Sequence, residues 1–572
     1  MFVVSYKKNN NKQVFKKMKE DYGFDKIQNY IPIYKRFFSV NDKTYDNINL
    51  NHKYSINDIK ESINENIFTL NLSDDKDNKV TRQSFFKFSP LLDPIKYMVG
   101  KYENVTKDMR TALPKLNDNI SPKKVLDANN SAYVDSFFSY LSSISYHHHK
   151  FPNGLDFYGS FLGVQKKHFL NISDDLEYLY DSDFFHKNKD VLFKTDDIDE
   201  ELLSDASRTH RKKLSVKDEI ELDVSSISDD MFGDVFKLTK ENLEIHNLNN
   251  IELELDISNN KQSGNDTESA CSSRSSNTSN DEYDDESVED LSENSLESCS
   301  NSDMSEYSSS LDDEEYVRGE VYDFPVQIIC LEKMDNTLDS LLEDEENELD
   351  IDEWKSCLFQ VIMCLLVYKK MFNFTHNDLH TNNIMFINTE KKYLNYKYNG
   401  KLYRVPTFGK IFKVIDFGRA IYTHSGKKFC SDSFHPKGDA STQYNTEPYF
   451  NNNKPRLEPN YSFDLCRLGC SLFDFFFDDI EDIEEEDDPI ALTIARWCSD
   501  DKGRNVSYKK NGEERYPDFK LYKMIARTVH NHTPENQLNR EKLNLFDKFL
   551  SSKKKMGKKA KIFNVDELPS YV

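Results

Sequence analysis

Two short motifs constrain this 572-residue chain more than any other feature of its sequence. The first is Phe374-Thr-His-Asn-Asp-Leu-His-Thr-Asn-Asn-Ile-Met-Phe386, in which a histidine stands two residues before Asp378 and Asn383 stands five residues after it. The second, Val414-Ile-Asp-Phe-Gly418, ends an apolar run at Asp416. Asp-Phe-Gly alone recurs in turns, and a lone His-x-Asp is usually a satisfied polar pair. Both motifs in this order, each beside strand-like apolar residues, predict one shared functional site.

The residue types in these motifs suit phosphoryl transfer. That reaction needs a carboxylate to orient the attacking hydroxyl and oxygen ligands for magnesium. The pattern resembles the catalytic loop H-R-D-L-x-x-x-N and the magnesium loop D-F-G of protein kinases. The resemblance implies that Asp378 is the catalytic base, that Asn383 and Asp416 bind Mg2+, and that His376 supports the loop. His380, at the family's lysine position, is a further catalytic candidate, and ATP with Mg2+ is the implied cofactor pair.

A predicted hairpin precedes these motifs. Its strands are Ile67-Phe-Thr-Leu-Asn-Leu72 and Ser84-Phe-Phe-Lys-Phe-Ser89, separated by a polar turn. The resemblance implies that Lys87 is the strand lysine that holds the ATP phosphates; the alternative is an edge-strand lysine that reaches water. No G-x-G-x-x-G precedes Lys87, because Gly23 and Gly100 are the only glycines of the first hundred residues. Side chains in place of glycine hinder the approach of the backbone to phosphate.

An apolar stripe at helical spacing predicts a helix across residues 130–144, capped by Asn130 or Ser131. The helix occupies the place of the kinase αC helix. Its only interior acid is Asp135, which the resemblance implies as the partner of Lys87. The alternative is that Asp135 is solvated.

The run Phe324-Pro-Val-Gln-Ile-Ile-Cys-Leu-Glu-Lys-Met334 predicts a strand whose end resembles the kinase hinge. That resemblance implies that the backbones of Glu332 and Met334 contact adenine and that Leu331 guards the back of the pocket. A following helix, predicted to start at a cap on Asp352, leads directly into the first motif.

Two further patterns lie on either side of the second motif. Tyr393-Leu-Asn-Tyr-Lys-Tyr398 and Lys401-Leu-Tyr-Arg-Val405 flank Asn399-Gly400, which predicts a hairpin with a type I′ turn. This extra hairpin resembles kinases of large nucleocytoplasmic DNA viruses. Ser462-Phe-Asp-Leu-Cys-Arg-Leu-Gly-Cys-Ser-Leu-Phe473 resembles the start of the kinase αF helix, which implies that Asp464 bonds the backbone of the catalytic loop.

Charge is concentrated in one segment of the chain. Residues 264–316 hold seventeen Asp or Glu, one Arg and eighteen Ser or Thr, and so carry −16 of the formal net charge of −25. Such a composition cannot offset its ordering entropy, which predicts disorder. The acidic balance argues against general nucleic-acid binding. The nine cysteines form no C-x-x-C pair, and the longest apolar run, around residues 357–368, is too short to span a membrane.

These features predict a cytoplasmic protein with reduced thiols and no membrane association, in the host cytoplasm or the virion if the protein is viral. The resemblance implies an α+β, bilobal protein-kinase-like fold with an antiparallel N-lobe sheet, an αC helix and a mainly helical C-lobe. The expected boundaries are an extension at 1–60 with a strand near Tyr30-Ile-Pro-Ile-Tyr34, an N-lobe at 61–335 interrupted at about 171–320, a C-lobe at 336–550 and a lysine-rich tail at 551–572.

Three functions remain open. The first is Ser/Thr protein kinase activity on protein substrates, which the αF-like helix and the long segment after Asp416 favour. The second is a small-molecule kinase of the aminoglycoside or choline phosphotransferase type, whose loops share Asp-Leu-His, and the third is a pseudokinase scaffold that lacks the glycine loop. Asn377, at the family's arginine position, predicts activity that does not depend on phosphorylation of the five hydroxyl residues Ser431, Ser433, Ser441, Thr442 and Thr446. No oligomeric state is predicted.

Overall fold

The computed structural model describes residues 2–102, 104–196, 317–344, 348–517, 519–539, 545–557 and 559–572. All of these residues belong to one compact unit. The acidic stretch 264–316, predicted to be disordered, lies outside the described residues. The fold is mixed α/β, and its sheets are antiparallel apart from one parallel strand pair.

The elements follow the chain in this order. The strands are Tyr6–Lys8 (β1), Phe24–Gln28 (β2), Ile48–Leu50 (β3), Tyr54–Ser62 (β4), Ile67–Asp74 (β5), Lys79–Pro90 (β6), Phe157–Asn171 (β7), Phe193–Thr195 (β8), Arg318–Glu332 (β9), Asn336–Thr337 (β10), Ile384–Asn388 (β11), Tyr393–Tyr398 (β12), Lys401–Pro406 (β13), Lys410–Val414 (β14), Ile421–His424 (β15), Lys427–Cys430 (β16) and Phe563–Asn564 (β17). The helices are Lys12–Asp21 (α1), Pro94–Met98 (α2), Lys107–Arg110 (α3), Lys123–Leu126 (α4), Ser131–His147 (α5), Leu176–Tyr180 (α6), Asp183–Asn188 (α7), Leu338–Leu342 (α8), Ile351–Phe372 (α9), Phe463–Phe476 (α10), Pro489–Trp497 (α11), Lys520–Thr528 (α12), Pro534–Leu538 (α13) and Lys553–Met556 (α14). Short 3-10 helices are Pro32–Arg36, Tyr45–Asn47, Ser173–Asp175, Thr381–Asn383, Asp432–Phe434, Ile480–Glu484, Asp547–Phe549 and Val565–Glu567.

The largest sheet has seven strands in the order β2-β7-β9-β6-β5-β4, with β8 paired to β9. The predicted hairpin is confirmed, since β5 and β6 pair antiparallel with Ile67 opposite Phe85. The strand predicted at residues 324–334 is confirmed as β9, which pairs with β7 along most of its length. Beside β8, the Asp196 amide donates to the carbonyl of Arg318 at 3.0 Å. The two ends of the undescribed stretch 197–316 therefore leave the fold side by side.

Both faces of this sheet are covered. Because side chains alternate between the faces of a strand, Phe86 on β6 packs on one side with Val14 and Met18 of α1. On the other side, Leu331 of β9 belongs to the same buried cluster as Phe138 of α5. Lys87, one residue after Phe86 on β6, thus faces α5.

Three local predictions are settled by cap and turn geometry. The strand predicted at residues 30–34 is wrong, because proline lacks a ladder N–H and suits the first turn of a helix, and Pro32 starts a 3-10 helix. The helix predicted at 130–144 is confirmed as α5, where Asn130 Oδ1 accepts the Ala132 amide at 3.1 Å. The predicted cap on Asp352 is wrong. Asp350 is the cap of α9, and its carboxylate accepts the first amides of the helix in a capping box.

Helix α9 is buried along most of its length and forms the centre of the largest apolar cluster. The hairpin predicted at 393–405 is confirmed as β12 and β13. Its turn residues Asn399 and Gly400 have φ angles of 52° and 72°, as a type I′ turn requires. Within the described part of the chain, no helix is both long and apolar enough to cross a membrane.

Candidate active site

The two sequence motifs meet because the strands β11 and β14 pair. Ile384 lies opposite Val414, and the Ile415 amide donates to the carbonyl of Asn383 at 3.0 Å. Asn383 directly precedes β11, and Asp416 is the second residue after the end of β14. The structure therefore places these two predicted metal ligands at one edge of the same three-stranded sheet.

Asp464 of α10 holds the first motif from within the core. Its carboxylate oxygens accept the backbone amides of His376 and Asn377 at 2.9 and 2.8 Å, which confirms the predicted contact. His376 also reaches across to the second motif, with Nε2 2.8 Å from the carbonyl of Ile415. Burial raises the pKa of Asp464, while the nearby His376 and the two amide hydrogen bonds oppose that rise. The loop that carries Asp378 is thus fixed by side chains from two other elements.

Asp378, the predicted base, is held as a carboxylate. Its Oδ1 accepts a hydrogen bond from the Tyr522 hydroxyl at 2.9 Å, and its Oδ2 lies 3.7 Å from Nε of Arg419. Burial alone would raise the pKa of Asp378, but the positive charges of Arg419, His380 and Arg467 and the Tyr522 hydrogen bond lower it to about 2. At neutral pH the group is therefore an ionised hydrogen-bond acceptor that can orient a hydroxyl.

Lys87 joins the sheet to the second motif. Its Nζ lies 2.8 Å from Asp135 Oδ2 and 2.7 Å from Asp416 Oδ2, and its side chain is 13% exposed. Asp135 also accepts the Phe417 amide at 3.0 Å through its other oxygen. The structure thus places Asp135, for which solvation was the alternative, in a buried contact with Lys87.

The charges in this cluster set one another's ionisation. Burial would lower the pKa of Lys87, but the two carboxylates raise it, so the lysine stays charged. Burial and the charge of Asp416 raise the pKa of Asp135 against the pull of Lys87. Burial also acts to raise the pKa of Asp416, and the Lys87 charge and the hydrogen bonds lower it. When two carboxyl groups share one cation, their pKa values move apart in this way, and the less buried group ionises more easily.

The oxygen donors beside this cluster fit magnesium. The Asn383 amide nitrogen donates to the Asp378 carbonyl and contacts His380 Nε2, both at 2.9 Å. Those contacts leave its side-chain oxygen uncommitted among the described residues. The Asp416 side chain is 26% exposed. In the described chain, no group of three or more His, Cys, Asp or Glu side chains is placed to hold a metal. Magnesium characteristically takes one or two protein oxygens plus phosphate oxygens and water, so Asn383 and Asp416 match its needs.

The turn between β4 and β5 fits phosphate less well. It occupies the place before the lysine strand where the family has its glycine loop. Oδ1 of Asn64 accepts the amides of Asn66 and Ile67 at 3.0 and 2.7 Å. The Ile63 amide donates to the carbonyl of Ile67 at 2.8 Å. Because these amides already have partners within the turn, they are not offered to a phosphate group.

The three predicted hinge residues lie at the end of β9. Leu331 is 6% exposed and Met334 is 3% exposed, and both belong to the main apolar cluster. The Glu332 amide donates to the carbonyl of Asp156 at 2.9 Å. The Glu332 side chain accepts Lys413 Nζ at 2.5 Å, which ties the hinge to β14. The structure therefore links the hinge to the strand that leads to Asp416.

Sequence reasoning missed three residues of this region. Tyr522 of α12 contacts Asp378 directly, and Arg467 donates from Nε to the Tyr522 oxygen at 2.9 Å. Asp432 lies at the start of α5, where its oxygens accept the Ser131 amide at 2.9 Å and Lys124 Nζ at 2.6 Å. Arg467 falls on an unspecified position of the αF pattern, and the other two lie in segments without a motif. No local signal marked them.

No protein-family model matches the sequence. A segment is 39% identical over 88 residues to a probable serine/threonine-protein kinase of Dictyostelium discoideum, which covers 14% of this chain and 7% of that protein. Segments 38% identical over 63 residues match the serine/threonine-protein kinase haspin of Mus musculus and of Bos taurus, covering 11% of this chain and 8% of each relative. The matches thus span less than a tenth of the length of these relatives. They support a kinase-like relationship of this chain with Ser/Thr protein kinases.

Proposed function

We propose that this protein transfers a phosphoryl group from ATP, bound with magnesium, to serine or threonine hydroxyls of protein substrates. The observation that carries the proposal is the cluster in which Lys87 joins Asp135 to Asp416 while Asp378 and Asn383 lie on the neighbouring loop. Few arrangements other than phosphoryl transfer need a buried lysine, a metal-type carboxylate and a separate ionised aspartate side by side. We further propose that the seven-stranded sheet with α5 and the helices around α9 are the two lobes of a kinase fold.

The proposal assigns a role to each residue of the site. Asp378 accepts a hydrogen bond from the acceptor hydroxyl and receives its proton; its low pKa keeps it ionised for this purpose. Asn383 and Asp416 would hold magnesium, and Lys87 would hold phosphate oxygens. ATP with magnesium supplies the phosphoryl group. Little base strength is required, because the transition state of phosphoryl transfer is loose and depends mainly on positioning and charge.

Protein substrates are favoured by the relatives, all of which are named as serine/threonine-protein kinases. The buried contact of Asp464 with the catalytic loop and the long segment between Asp416 and α10 support the same choice. A cytoplasmic location, which rests on composition and cysteine usage, and a place among kinases of large DNA viruses, which rests on the sequence resemblance, form part of the proposal.

A pseudokinase scaffold is the second candidate. It is favoured by the β4–β5 turn, where Asn64 occupies amides that a glycine loop would present to phosphate. A scaffold of this kind would bind nucleotide weakly and transfer no phosphate.

The test is transfer of radiolabelled phosphate from ATP to a generic basic protein, with and without magnesium. Asp378→Asn should leave nucleotide binding nearly intact and reduce turnover by about 10²- to 10⁴-fold. Asp416→Asn should weaken magnesium-dependent nucleotide binding itself. Asp108→Asn, an exposed acid on α3, is the matched control and should behave as wild type. Equal activity in all four proteins would refute the kinase proposal, and binding without transfer by wild type would favour the scaffold.

A further inference from the structure

A second layer of side chains stands behind the carboxylate of Asp378. The Tyr522 hydroxyl donates to Asp378 Oδ1 at 2.9 Å, and Arg467 Nε donates to the Tyr522 oxygen at 2.9 Å. Tyr522 comes from α12 and contacts the carboxylate directly, whereas Arg467 comes from α10 and reaches it only through Tyr522. The order of donors fixes the direction of each hydrogen bond, since a guanidinium can only donate.

Packing fixes the Tyr522 ring. Tyr522 is 6% exposed. Its ring is stacked on the ring of Phe519, with the two centroids 5.2 Å apart, and its centroid lies 5.9 Å from that of the Phe463 ring. The guanidinium carbons of Arg419 and Arg467 lie 5.6 and 5.3 Å from its centroid. A phenol held by aromatic packing and by two hydrogen bonds has little freedom to leave Asp378.

The hydrogen bond from Tyr522 makes the two oxygens of the Asp378 carboxylate different from each other. A carboxylate rotates about its Cβ–Cγ bond unless a neighbour fixes one oxygen, and a misplacement of about 1 Å at a reacting group can cost on the order of 10²-fold in rate. Tyr522 occupies Oδ1, while Oδ2 lies 3.7 Å from the nearest Arg419 nitrogen. Oδ2 is therefore the oxygen left for an acceptor hydroxyl.

We propose that Arg467 and Tyr522 are positioning residues, which fix the Asp378 carboxylate so that its Oδ2 faces the acceptor hydroxyl. This inference rests on the proposed phosphotransferase function. The same hydrogen bond has an opposite interpretation, in which the Tyr522 hydroxyl blocks the acceptor site. The two interpretations predict opposite effects on the rate of phosphoryl transfer. Removal of a positioning hydroxyl slows transfer, whereas removal of a blocking hydroxyl accelerates it.

The experiment measures kcat and KM for ATP and for a basic protein substrate in wild type, Tyr522→Phe, Arg467→Met and the double variant. Tyr522→Phe keeps the ring and its packing, so kcat should fall about 10- to 100-fold while KM for ATP stays within about twofold. Arg467→Met alone should lower kcat, but in the Tyr522→Phe background it should add little, because Arg467 acts through the missing hydroxyl. A purely structural role would lower the melting temperature of the variants without this selective fall in kcat.

Tyr508→Phe is the matched control. The Tyr508 hydroxyl donates to Asp474 Oδ1 at 2.7 Å, so the variant removes the same kind of hydrogen bond from a different aspartate, one that lies on α10. Its kcat should equal that of wild type. Active wild type with an equally active or faster Tyr522→Phe variant would overturn the inference and leave the proposed function standing, as would additive losses in the double variant. A wild type without transfer activity would overturn the proposed function and this inference with it.

Discussion

His424 is a buried polar side chain without a hydrogen-bond partner among the described residues. It ends β15, is 1% exposed, and neither ring nitrogen is bonded. The rings of Phe37, Phe137 and Tyr571 lie within 6.2 Å of its centroid. Burial first, and then the charge of Lys427, lower the pKa of His424 to about 4. Leaving buried nitrogens unbonded costs stability, so this position is not optimised for the fold.

A pH dependence of stability follows from this burial. A histidine in the unfolded chain has a pKa near 6.5, whereas His424 stays neutral in the folded chain down to about pH 4. The unfolded state then binds more protons between those values, so stability falls as pH drops from about 6.5 to about 4. For His424 alone the loss at pH 5 is about 2 kcal/mol. Burial also lowers the pKa of His52 and His168 to about 4, which acts in the same direction.

Thermal unfolding of wild type and His424→Phe at pH 7.5, 6.5 and 5.5 checks this expectation. Phenylalanine keeps the ring and removes both nitrogens, so the variant should melt higher at pH 7.5 and lose less stability on acidification. His148→Gln changes an exposed histidine and serves as the control. An unchanged pH slope in His424→Phe would show that His424 does not titrate as described.

Among single residues, those that lie within short motifs could be assigned to the site from the sequence alone. Asp378, Asn383 and Asp416 sit at fixed spacings along one stretch of chain, so their meeting needed only two paired strands. Tyr522 reaches Asp378 across 144 residues of sequence. No pattern marks such a contact, because it depends on how α12 packs in three dimensions.

Among the elements, α5 has the most connections to the site. Asp135 binds Lys87 and the Phe417 amide, and the Phe138 ring packs 4.6 Å from the Phe417 ring. At the other end of the helix, Asp432 from the segment after Asp416 accepts the Ser131 amide and is 7% exposed. A negative charge at a helix N-terminus is stabilising. The position of α5 therefore depends on that segment.

This contact supports the prediction that the proposed activity does not depend on phosphorylation. Phosphorylation orders such segments by adding charge that pairs with cations, and the carboxylate of Asp432 already pairs with Lys124. Asn377 makes buried hydrogen bonds instead of offering a guanidinium to phosphate. Phosphatase treatment should therefore leave kcat within about twofold of untreated protein, with mass spectrometry to verify dephosphorylation. A tenfold fall that rephosphorylation reverses would contradict this.

The complementary variant is Asp432→Asn. It removes the charge from the N-terminus of α5 and leaves Lys124 without its partner. The free energy of unfolding should therefore fall by about 0.5–2 kcal/mol, and kcat should fall as the Lys87–Asp135 contact loosens. Glu447→Gln breaks an exposed ion pair with Arg456 in the same segment and should change little. If the two variants had equal effects, the claim that Asp432 positions α5 would be wrong.

Helices and hairpins were predictable where the pattern is local, as for α5 and the Asn399-Gly400 turn. The failures have local causes too, since Pro32 favours a helical turn over a strand and Asp350, two residues earlier, makes the better cap of α9. The pairing of β2 with β7 was not foreseen, because strands distant in sequence carry no register signal of their own.

At the scale of the whole molecule, residues 197–316 connect two adjacent points. The Asp196 amide donates to the carbonyl of Arg318, and β8 pairs with β9 up to Thr195 opposite Gly319. For a flexible connection, the entropic cost of loop closure changes by only about 0.6 kcal/mol for each doubling of length.

Deletion of residues 264–316 should therefore leave the molecule nearly unchanged. The cut removes less than half of the connection, so unfolding free energy should shift by less than about 0.6 kcal/mol, and phosphate transfer should stay at the wild-type rate. Scanning calorimetry and the radiolabel assay on both proteins provide the measurement. A loss of several degrees in melting temperature would show that the deleted residues pack on the described fold.

Asp464 accepts hydrogen bonds from two backbone amides, and these bonds limit how the loop that carries Asp378 can open. Because the acceptor is a buried carboxylate of α10, His376 and Asn377 cannot release their hydrogens to solvent unless that helix moves away. In a hydrogen–deuterium exchange experiment, these two amide hydrogens should therefore exchange as slowly as those of the core helix α10, and not at the rate of a surface loop. We expect α10 and the loop that carries Asp378 to unfold together, as one cooperative unit.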